Sequence, residues 1–319
     1  MTTTTPTTES GPAGRDAFIE HLGWNIQHGR HLATALDLLE QRTERTGWRP
    51  DLLSLQELQP GQGEAVSERL GMTFVAAPPN LRPGSETALF YNPARFREDP
   101  SWTQYPSGIR HNPAVALLWM LHPVTGEQSS RQLFVASEHS SYSDPGLRER
   151  QARFYSELAK DQRLLLVQGD WNGWPVRGCP VSLDRVADRA YAQNRTVLTP
   201  DGMMRPDDQA DRLLTYGGMT DVGHYAATAL GIEGADRPTT GHGPDKDRQR
   251  VPAEDLPPGG IGPIDRHYAS AELMPALTGY EVITDPGFLA VSDHGPTRSL
   301  WVEAGLWEVM DRGVRLVRH

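Results

Sequence analysis

Residues 164–174, with the sequence LLLVQGDWNGW, constrain the fold of this chain more than any other stretch. Residues 164–167 are uniformly apolar, which is typical of a short strand that is buried on both faces. Gly169 predicts a tight turn after this strand, and Asp170 and Asn172 follow it two positions apart. Such an ending places two oxygen-bearing side chains at the rim of a sheet, where ligands commonly bind. By itself, however, a Gly-Asp-x-Asn sequence is more often an ordinary turn.

Strand-like and helix-like patterns alternate from one end of the chain to the other. Apolar residues recur at helical spacing in residues 30–45, and an Asp-Pro pair is a start signal for a helix at 146–160. This alternation favours one α/β domain, which we place at residues 16–319 after a disordered tail, residues 1–15, rich in Thr and Pro. The other predicted helices are 62–70, 181–195 and 207–214. The predicted strands are 17–26, 52–56, 72–77, 86–91, 114–122, 132–137, 164–168, 264–270, 280–284 and 297–303.

Charge and cysteine content limit the partners and the compartment of the protein. The formal net charge of −10 argues against a broad basic surface that wraps duplex nucleic acid, although carboxylates that bind a metal also count in this sum. Cys179 is the only cysteine, which excludes an internal disulfide and fits a reducing compartment. No apolar run could span a bilayer, and the first residues lack the pattern of a signal peptide. We therefore expect a cytoplasmic protein with no membrane association and no obligate protein partner.

Residues that could bind a metal or transfer a proton recur at the predicted ends of several strands. They are Asn25 in WNIQ, Glu57 in LLSLQE, Glu86 in SETALFY, His139 in ASEHSSYSD, Asp170 and Asn172 in GDWN, Asp265 in IDRHY, and Asp293 with His294 in SDHGP. In this order the segments resemble the endonuclease/exonuclease/phosphatase superfamily, the DNase I-like proteins, from about residue 18 to residue 303. The resemblance implies a four-layer α/β sandwich, in which two packed mixed β-sheets are flanked by helices, and a metal-dependent phosphoesterase activity.

The resemblance also implies the metal side of the site. Glu57 would be the principal metal carboxylate, with Asn25 beside it and Asp293 at the same side. Phosphodiester cleavage builds up negative charge on the phosphoryl oxygens, and a hard cation that takes oxygen ligands neutralises it. We therefore expect Mg²⁺, with Mn²⁺ as the alternative. With a single cysteine, a zinc site built from thiolates is not expected.

The remaining residues receive catalytic roles from the same resemblance. Asp170 would orient or activate the attacking water, and Asn172 would hold the phosphate through its amide. Asp265 would hydrogen-bond His294, which raises the affinity of that histidine for a proton and sets its tautomer. His139 matches a second histidine of the family, and a structural role for it stays open. Glu86 would orient His139, although this match needs a shift of one residue along the strand.

Three functions remain open from the sequence. The first is a nuclease that acts on DNA or RNA, which the HSSYSD segment and the paired histidines favour. The second is a hydrolase of a small phosphoester, which the acidic balance and the long loops at 176–212 and 238–263 favour. The third, a non-catalytic binding protein, is disfavoured because the expected catalytic residues are present. Trp171 and Trp174 either stack on the substrate or pack inside, and Arg266 is a candidate phosphate contact.

Overall fold

Two six-stranded mixed sheets pack face to face and carry helices on their outer surfaces. This computed structural model describes residues 17–80, 84–104, 106, 111–179, 182–186, 188–241 and 261–312. The predicted disordered tail and most of the predicted loop at 238–263 lie outside the described residues. The four-layer α/β sandwich expected from the sequence is confirmed. In the described part of the chain, no helix combines the length and the apolar character needed to cross a membrane.

The first sheet has the strand order β13-β14-β1-β2-β4-β3, and the second has the order β11-β12-β8-β7-β6-β5. Within them, β1 pairs with β2 and β7 pairs with β8 in parallel, and the other pairs are antiparallel. A separate two-stranded sheet joins β9 and β10. The strands are β1 Phe18–Asn25, β2 Leu52–Leu58, β3 Thr73–Ala76, β4 Glu86–Tyr91, β5 Phe96–Glu98, β6 Ala114–Leu121, β7 Gln128–His139, β8 Leu164–Asp170, β9 Thr196–Leu198, β10 Met204–Pro206, β11 Met219–Asp221, β12 Asp265–Ser270, β13 Leu277–Val282 and β14 Thr297–Val302.

Eight helices complete the described fold. They are α1 Leu32–Thr46, α2 Gln62–Leu70, α3 Pro145–Leu158, α4 Arg189–Asn194, α5 Gln209–Tyr216, α6 Val222–Thr228, α7 Pro286–Val291 and α8 Glu303–Asp311. Helices α1, α2 and α7 cover the outer face of the first sheet, and α3 and α5 cover that of the second. The Asp-Pro start signal of α3 is confirmed, because the Asp144 side chain accepts a hydrogen bond from the backbone N–H of Leu147.

Strand β8 is buried on both faces, as its continuous apolar run predicts. Leu164 and Leu166 pack into the core between the sheets, and Leu165 and Val167 pack against the helical layer outside. The tight turn expected at Gly169 is wrong, because the strand continues through Gly169 to Asp170. The missing side chain instead permits a close strand approach, since a Cβ on Gly169 would lie 2.3 Å from the backbone oxygen of Glu138.

The stretch predicted as a helix at 181–195 differs most from its prediction. Its described residues form only a short 3₁₀ turn, Leu183–Arg185, and the six-residue helix α4. This stretch packs as a small separate cluster around Trp174 instead of presenting one long apolar face to a sheet. The β9–β10 hairpin and helices α6, α7 and α8 were not predicted from the sequence.

Candidate active site

Five strand ends from the two sheets converge at one rim of the sandwich. In the first sheet, β1 and β2 run parallel, and Asn25 ends β1 beside Glu57, the second-last residue of β2. In the second, Asp170 at the end of β8 pairs with His139 on one side and with Asp265 on the other. The rim surrounds a cleft of about 780 Å³. The predicted site residues that line it are Glu57, His139, Asp170, Asn172, Asp293 and His294.

Asn25 joins the two sheets across this cleft. Its Nδ2 donates one hydrogen bond to Glu57 Oε1, at 3.2 Å, and another to Asp170 Oδ2, at 3.1 Å. Its Oδ1 accepts a hydrogen bond from the backbone N–H of Gln27. Ionised carboxylates only accept hydrogen bonds. The Asn25 amide, which donates to both, therefore offsets part of the repulsion between Glu57 and Asp170. The sequence expectation that Asn25 lies beside Glu57 agrees with this geometry.

Glu57 reaches the cleft through a break in the regular strand. Its φ of 65° is left-handed, and the β2–β4 pairing shifts register between Leu55 and Leu58. A left-handed conformation costs a residue with a side chain on the order of 1–3 kcal/mol, and such strain clusters at functional sites. Here the irregularity turns the carboxylate toward His28, whose backbone N–H donates to Glu57 Oε2 at 2.9 Å.

Electrostatics favour the ionised form of Glu57. Burial alone would raise the pKa of this carboxyl, but the neighbouring histidines, His139 first among them, and the hydrogen bond from Asn25 hold it below its ordinary value. A partly buried carboxylate that stays ionised is the type of ligand that a hard cation requires.

Asp170 lies at the centre of the site. Its Oδ1 accepts a hydrogen bond from the backbone N–H of Asn172 at 3.0 Å. Its Oδ2, besides accepting from Asn25, lies 3.8 Å from His139 Nε2 and 3.9 Å from His294 Nε2. One carboxylate oxygen therefore faces both histidines, which suits a group that orients a water molecule between them.

Asn172 is held in a fixed orientation by its neighbours. Its φ of 51° is left-handed, and its Nδ2 donates to the backbone oxygen of Ser140 at 3.1 Å. The guanidinium of Arg195 donates to Asn172 Oδ1 at 2.7 Å. A guanidinium only donates, so the atom of Asn172 that faces Arg195 must be the oxygen, and the amide nitrogen faces Ser140. Sequence reasoning missed Arg195, since it follows α4 outside any recognised motif.

His294 pairs with Asp265 as the sequence predicted. Its Nδ1 lies 3.0 and 2.9 Å from the two carboxylate oxygens of Asp265, and its backbone oxygen accepts a hydrogen bond from Trp24. Burial alone would lower the pKa of His294, but Asp265 and the other nearby carboxylates outweigh it and raise this pKa well above its ordinary value. The carboxylates around it therefore favour the protonated form of the imidazole.

His139 and Asp293 also face the cleft. His139 Nε2 lies 3.6 Å from Glu57 Oε1, and its ring stacks on that of His111 with centroids 4.6 Å apart. Asp293 Oδ1 lies 4.0 Å from His294 Nε2. Both predicted positions therefore lie at the rim with the other groups.

The expected pairing of Glu86 with His139 is wrong. Side chains alternate between the faces of a strand, and Ala88 and Phe90 pack toward the outer helices, so Glu86 points to the same outer side. There burial and the charge of Glu64 on α2 raise its pKa. Among the described residues the carboxylates nearest to His139 are Glu57 and Asp170.

Three further residues that the sequence suggested for substrate contact are internal. Trp171 packs in the core beneath α3, beside Tyr155 and Tyr268, and Trp174 is equally buried. Arg266 is 2% exposed, and its guanidinium donates to the backbone oxygens of Gly173 and Pro263. All three stabilise the floor of the site, and a stacking or phosphate-binding role for them is excluded by their burial.

The donor set of the cleft suits a hard divalent cation. Glu57, Asp170 and Asp293 offer carboxylate oxygens at its surface. Among the described residues, Asp170, Asp265 and His294 also form a group whose ligand atoms lie within 4.8 Å of one another. Two of these three residues are carboxylates, so oxygen ligands outnumber nitrogen. The residues present therefore fit Mg²⁺ or Mn²⁺ better than a soft metal.

The two packed sheets and the position of this cleft define the fold of the endonuclease/exonuclease/phosphatase proteins, and this chain has that fold. No protein-family model matches the sequence, and no curated protein matches it.

Solved structures of this fold align with the chain over most of their length. An AP endonuclease from Archaeoglobus fulgidus is 15% identical, covers 89% of this chain and 99% of its own, and gives a TM-score of 0.56. An endonuclease/exonuclease/phosphatase from Bacteroides vulgatus is 16% identical, covers 89% and 98%, and gives 0.55. TDP2 from D. rerio, complexed with a single strand DNA product, is 17% identical, covers 89% and 98%, and gives 0.53. At these identities the likeness establishes the fold.

Proposed function

We propose that this protein is a divalent-metal-dependent phosphoester hydrolase. The observation that supports it is the meeting, in one cleft, of the Glu57 carboxylate, the Asp170 carboxylate and the His294 imidazole. These three groups come from strand ends and a loop of both sheets, and a purely structural cluster would not require them to face open space. The proposal treats residues 16–319 as one domain, because a single hydrophobic core joins the two sheets.

The metal side of the proposed site centres on Glu57. Asn25 fixes the position of this carboxylate, and Asp293 offers a second oxygen across the cleft. A bound divalent cation would neutralise charge that develops on the phosphoryl oxygens. The low pKa of Glu57 supports its role, because the carboxylate need not lose a proton before it binds a cation.

The residues on the other side of the cleft from Glu57 would orient the attacking water and bind the phosphate. Asp170 Oδ2, which faces both histidines, is the acceptor that aligns a water molecule. Asn172 Nδ2 donates one hydrogen to the backbone oxygen of Ser140 and its second to a phosphate oxygen. Protonated His294 can donate to the phosphate or to the leaving oxygen, and Asp265 favours that form and fixes the orientation of the ring through Nδ1. His139, placed between Glu57 and Asp170, adds a second imidazole donor.

Nucleic acid is the first substrate class that we propose. Of the structural neighbours, one is an AP endonuclease and another, TDP2, holds a single strand DNA product. The exposed Tyr142, next to the His139 strand end at the cleft, offers an aromatic face for a base. A cytoplasmic location, which the single cysteine favours, stays a prediction of the sequence.

A small phosphoester is the second candidate, because the described lining of the cleft is acidic. Glu57, Asp170, Asp188 and Asp293 line it, against the single arginine Arg195 among the described lining residues. A groove that tracks a nucleic-acid backbone usually carries several basic residues. A volume of about 780 Å³ also falls in the range of small-molecule pockets.

The experiment that tests the function is a hydrolysis panel with Mg²⁺, Mn²⁺ or EDTA. The panel contains single-stranded and duplex oligonucleotides, nucleotides, and sugar and inositol phosphates. We expect metal-dependent product release from at least one class, and none from the Asp170→Asn variant, which keeps the shape of the side chain. Wild-type protein that binds the metal and hydrolyses no member of the panel would contradict the proposal.

A further inference from the structure

A layer of buried polar side chains joins the two sheets directly beneath the cleft. Gln56 Nε2 donates to Ser137 Oγ and to Gln168 Oε1, each at 2.9 Å. Gln168 Nε2 in turn donates to Thr297 Oγ1 at 3.4 Å. All four side chains are fully buried. Gln56 and Thr297 belong to the first sheet and Ser137 and Gln168 to the second, so the hydrogen bonds run from sheet to sheet.

Three of these buried polar residues lie one or two positions before a proposed site residue in the sequence. Ser137 precedes His139 by two positions, and Gln168 precedes Asp170 by two. Side chains two apart on a strand point to the same face, so each polar residue lies immediately below a site residue. Gln56 directly precedes Glu57, whose left-handed backbone turns it toward the same cleft.

The backbone at Gly23 is adapted to this layer. A Cβ placed on Gly23 would lie 1.7 Å from Gln168 Cδ, so the Gln168 carboxamide fills the space that a side chain would need. Gly23 lies two positions before Asn25 on β1. The carboxamide of Gln168 thus contacts the first sheet beneath Asn25 while its own strand carries Asp170.

Buried amides are a costly way to fill a core. A buried polar group destabilises the fold unless it is hydrogen-bonded, and an apolar side chain would fill the same space without that requirement. Hydrogen bonds are directional, so those between the sheets keep good geometry only over a narrow range of relative positions. Gln56 Oε1 is itself buried without a hydrogen-bond partner among the described residues.

We propose that Gln56 and Gln168 are positioning residues that set the separation between the two halves of the cleft. They fix Asn25 and Glu57 on the first sheet relative to His139 and Asp170 on the second. Neither glutamine contacts the substrate. That this separation matters for catalysis rests on the proposed phosphoester hydrolysis. That the two glutamines control the separation is a structural claim and does not depend on that function.

The test is a double-mutant cycle with Gln56→Met and Gln168→Met, which keep the length of the side chain and remove its hydrogen bonds. The control is Ser54→Ala, which removes the buried hydrogen bond between Ser54 and His21 within the first sheet. We expect each methionine variant to lower kcat about tenfold, with KM changed less than about twofold, and the double variant to be no worse than either single variant. The control should lose thermal stability and keep its kcat.

A second readout does not depend on activity. In crystal structures, the 3.1 Å hydrogen bond between Asn25 and Asp170 should lengthen or break in Gln168→Met and persist in Ser54→Ala. An unchanged distance in Gln168→Met overturns the positioning role. If the wild-type protein hydrolyses no phosphoester, the proposed function fails and the crystallographic distance alone decides the inference. If Gln168→Met does not fold, Ser137→Ala, which removes one acceptor of Gln56, is measured in the same way.

Discussion

The Nδ1 of His294 lies within 3.0 Å of both carboxylate oxygens of Asp265, and the two residues come from different sheets. Asp265 begins β12 of the second sheet, and His294 lies in the loop before β14 of the first. Together with the hydrogen bond from Asn25 to Asp170, this pair joins the two sheets at the rim of the sandwich. The chemistry of the cleft therefore depends on contacts that form only when the two sheets are packed.

Replacing Asp265 with Asn should lower the pKa of His294. In the wild type the neighbouring carboxylates overcome the effect of burial and raise this pKa well above its ordinary value. The neutral amide removes the charge of Asp265 that raises this pKa, so the imidazole should lose its proton at a lower pH. NMR titration of the histidine resonances in EDTA measures this shift. A His294 pKa that is equal in the two proteins would show that Asp265 does not control it.

His294→Ala should lower kcat by about 10²–10⁴-fold, the range typical of a lost general acid. The loss should grow smaller above the raised pKa of His294, where the wild-type imidazole is itself deprotonated. A pH–rate profile of both proteins checks this, with thermal unfolding as the control for folding. Equal rates at neutral pH would exclude His294 from the mechanism.

Glu57→Gln should weaken the binding of Mn²⁺ by at least about tenfold, because a neutral amide replaces the ionised carboxylate. Electron paramagnetic resonance of free Mn²⁺ measures the affinity without reference to catalysis. The variant retains a group that can accept the hydrogen bond from Asn25, so the change tests charge more than shape. Unaltered affinity would move the metal site away from Glu57.

Glu86→Gln is the matched comparison for Glu57→Gln. Glu86 points toward α2 on the outer side of the first sheet, so both Mn²⁺ affinity and kcat should stay within about twofold of wild type. A large loss of activity in this variant would restore the role that the family resemblance implied for Glu86.

Glu138→Gln should make the protein more stable at alkaline pH relative to wild type. Glu138 accepts hydrogen bonds from Tyr155 and Gln151 beneath the His139 strand end, and burial raises its pKa to about 7 from 4.5. The fold therefore favours the protonated form, and this stabilisation is present below pH 4.5 and is lost as the pH rises through about 7.

The difference in unfolding free energy between Glu138→Gln and wild type should grow by on the order of 3 kcal/mol from pH 5 to pH 8. Urea unfolding at several pH values measures it. Glu127→Gln, a change at an exposed carboxylate in the β6–β7 turn, is the control and should show no such dependence. A constant difference for Glu138→Gln would mean that the buried carboxyl does not titrate in this range.

Apolar runs and their polar endings are local signals, and they predicted most of the strands, whereas the sandwich was implied by the family resemblance. Asp170 is an example, since it closes the strand that begins with the apolar run at residues 164–167. Glu86 was misplaced because one step along a strand reverses the face of a side chain, and only the pairing register decides it. Arg195 and the Gln56–Gln168 contact could not be predicted, because both depend on segments far apart in sequence.

The most direct test of the central claim is the rate of phosphodiester hydrolysis by wild type, Asp170→Asn and His294→Ala, each with Mg²⁺ and with EDTA. We predict release of product by the wild type with Mg²⁺, no release with EDTA, and a loss of at least about 10²-fold in both variants despite unchanged folding. Hydrolysis that persists in EDTA, or in either folded variant at the wild-type rate, would contradict a metal-dependent reaction in this cleft.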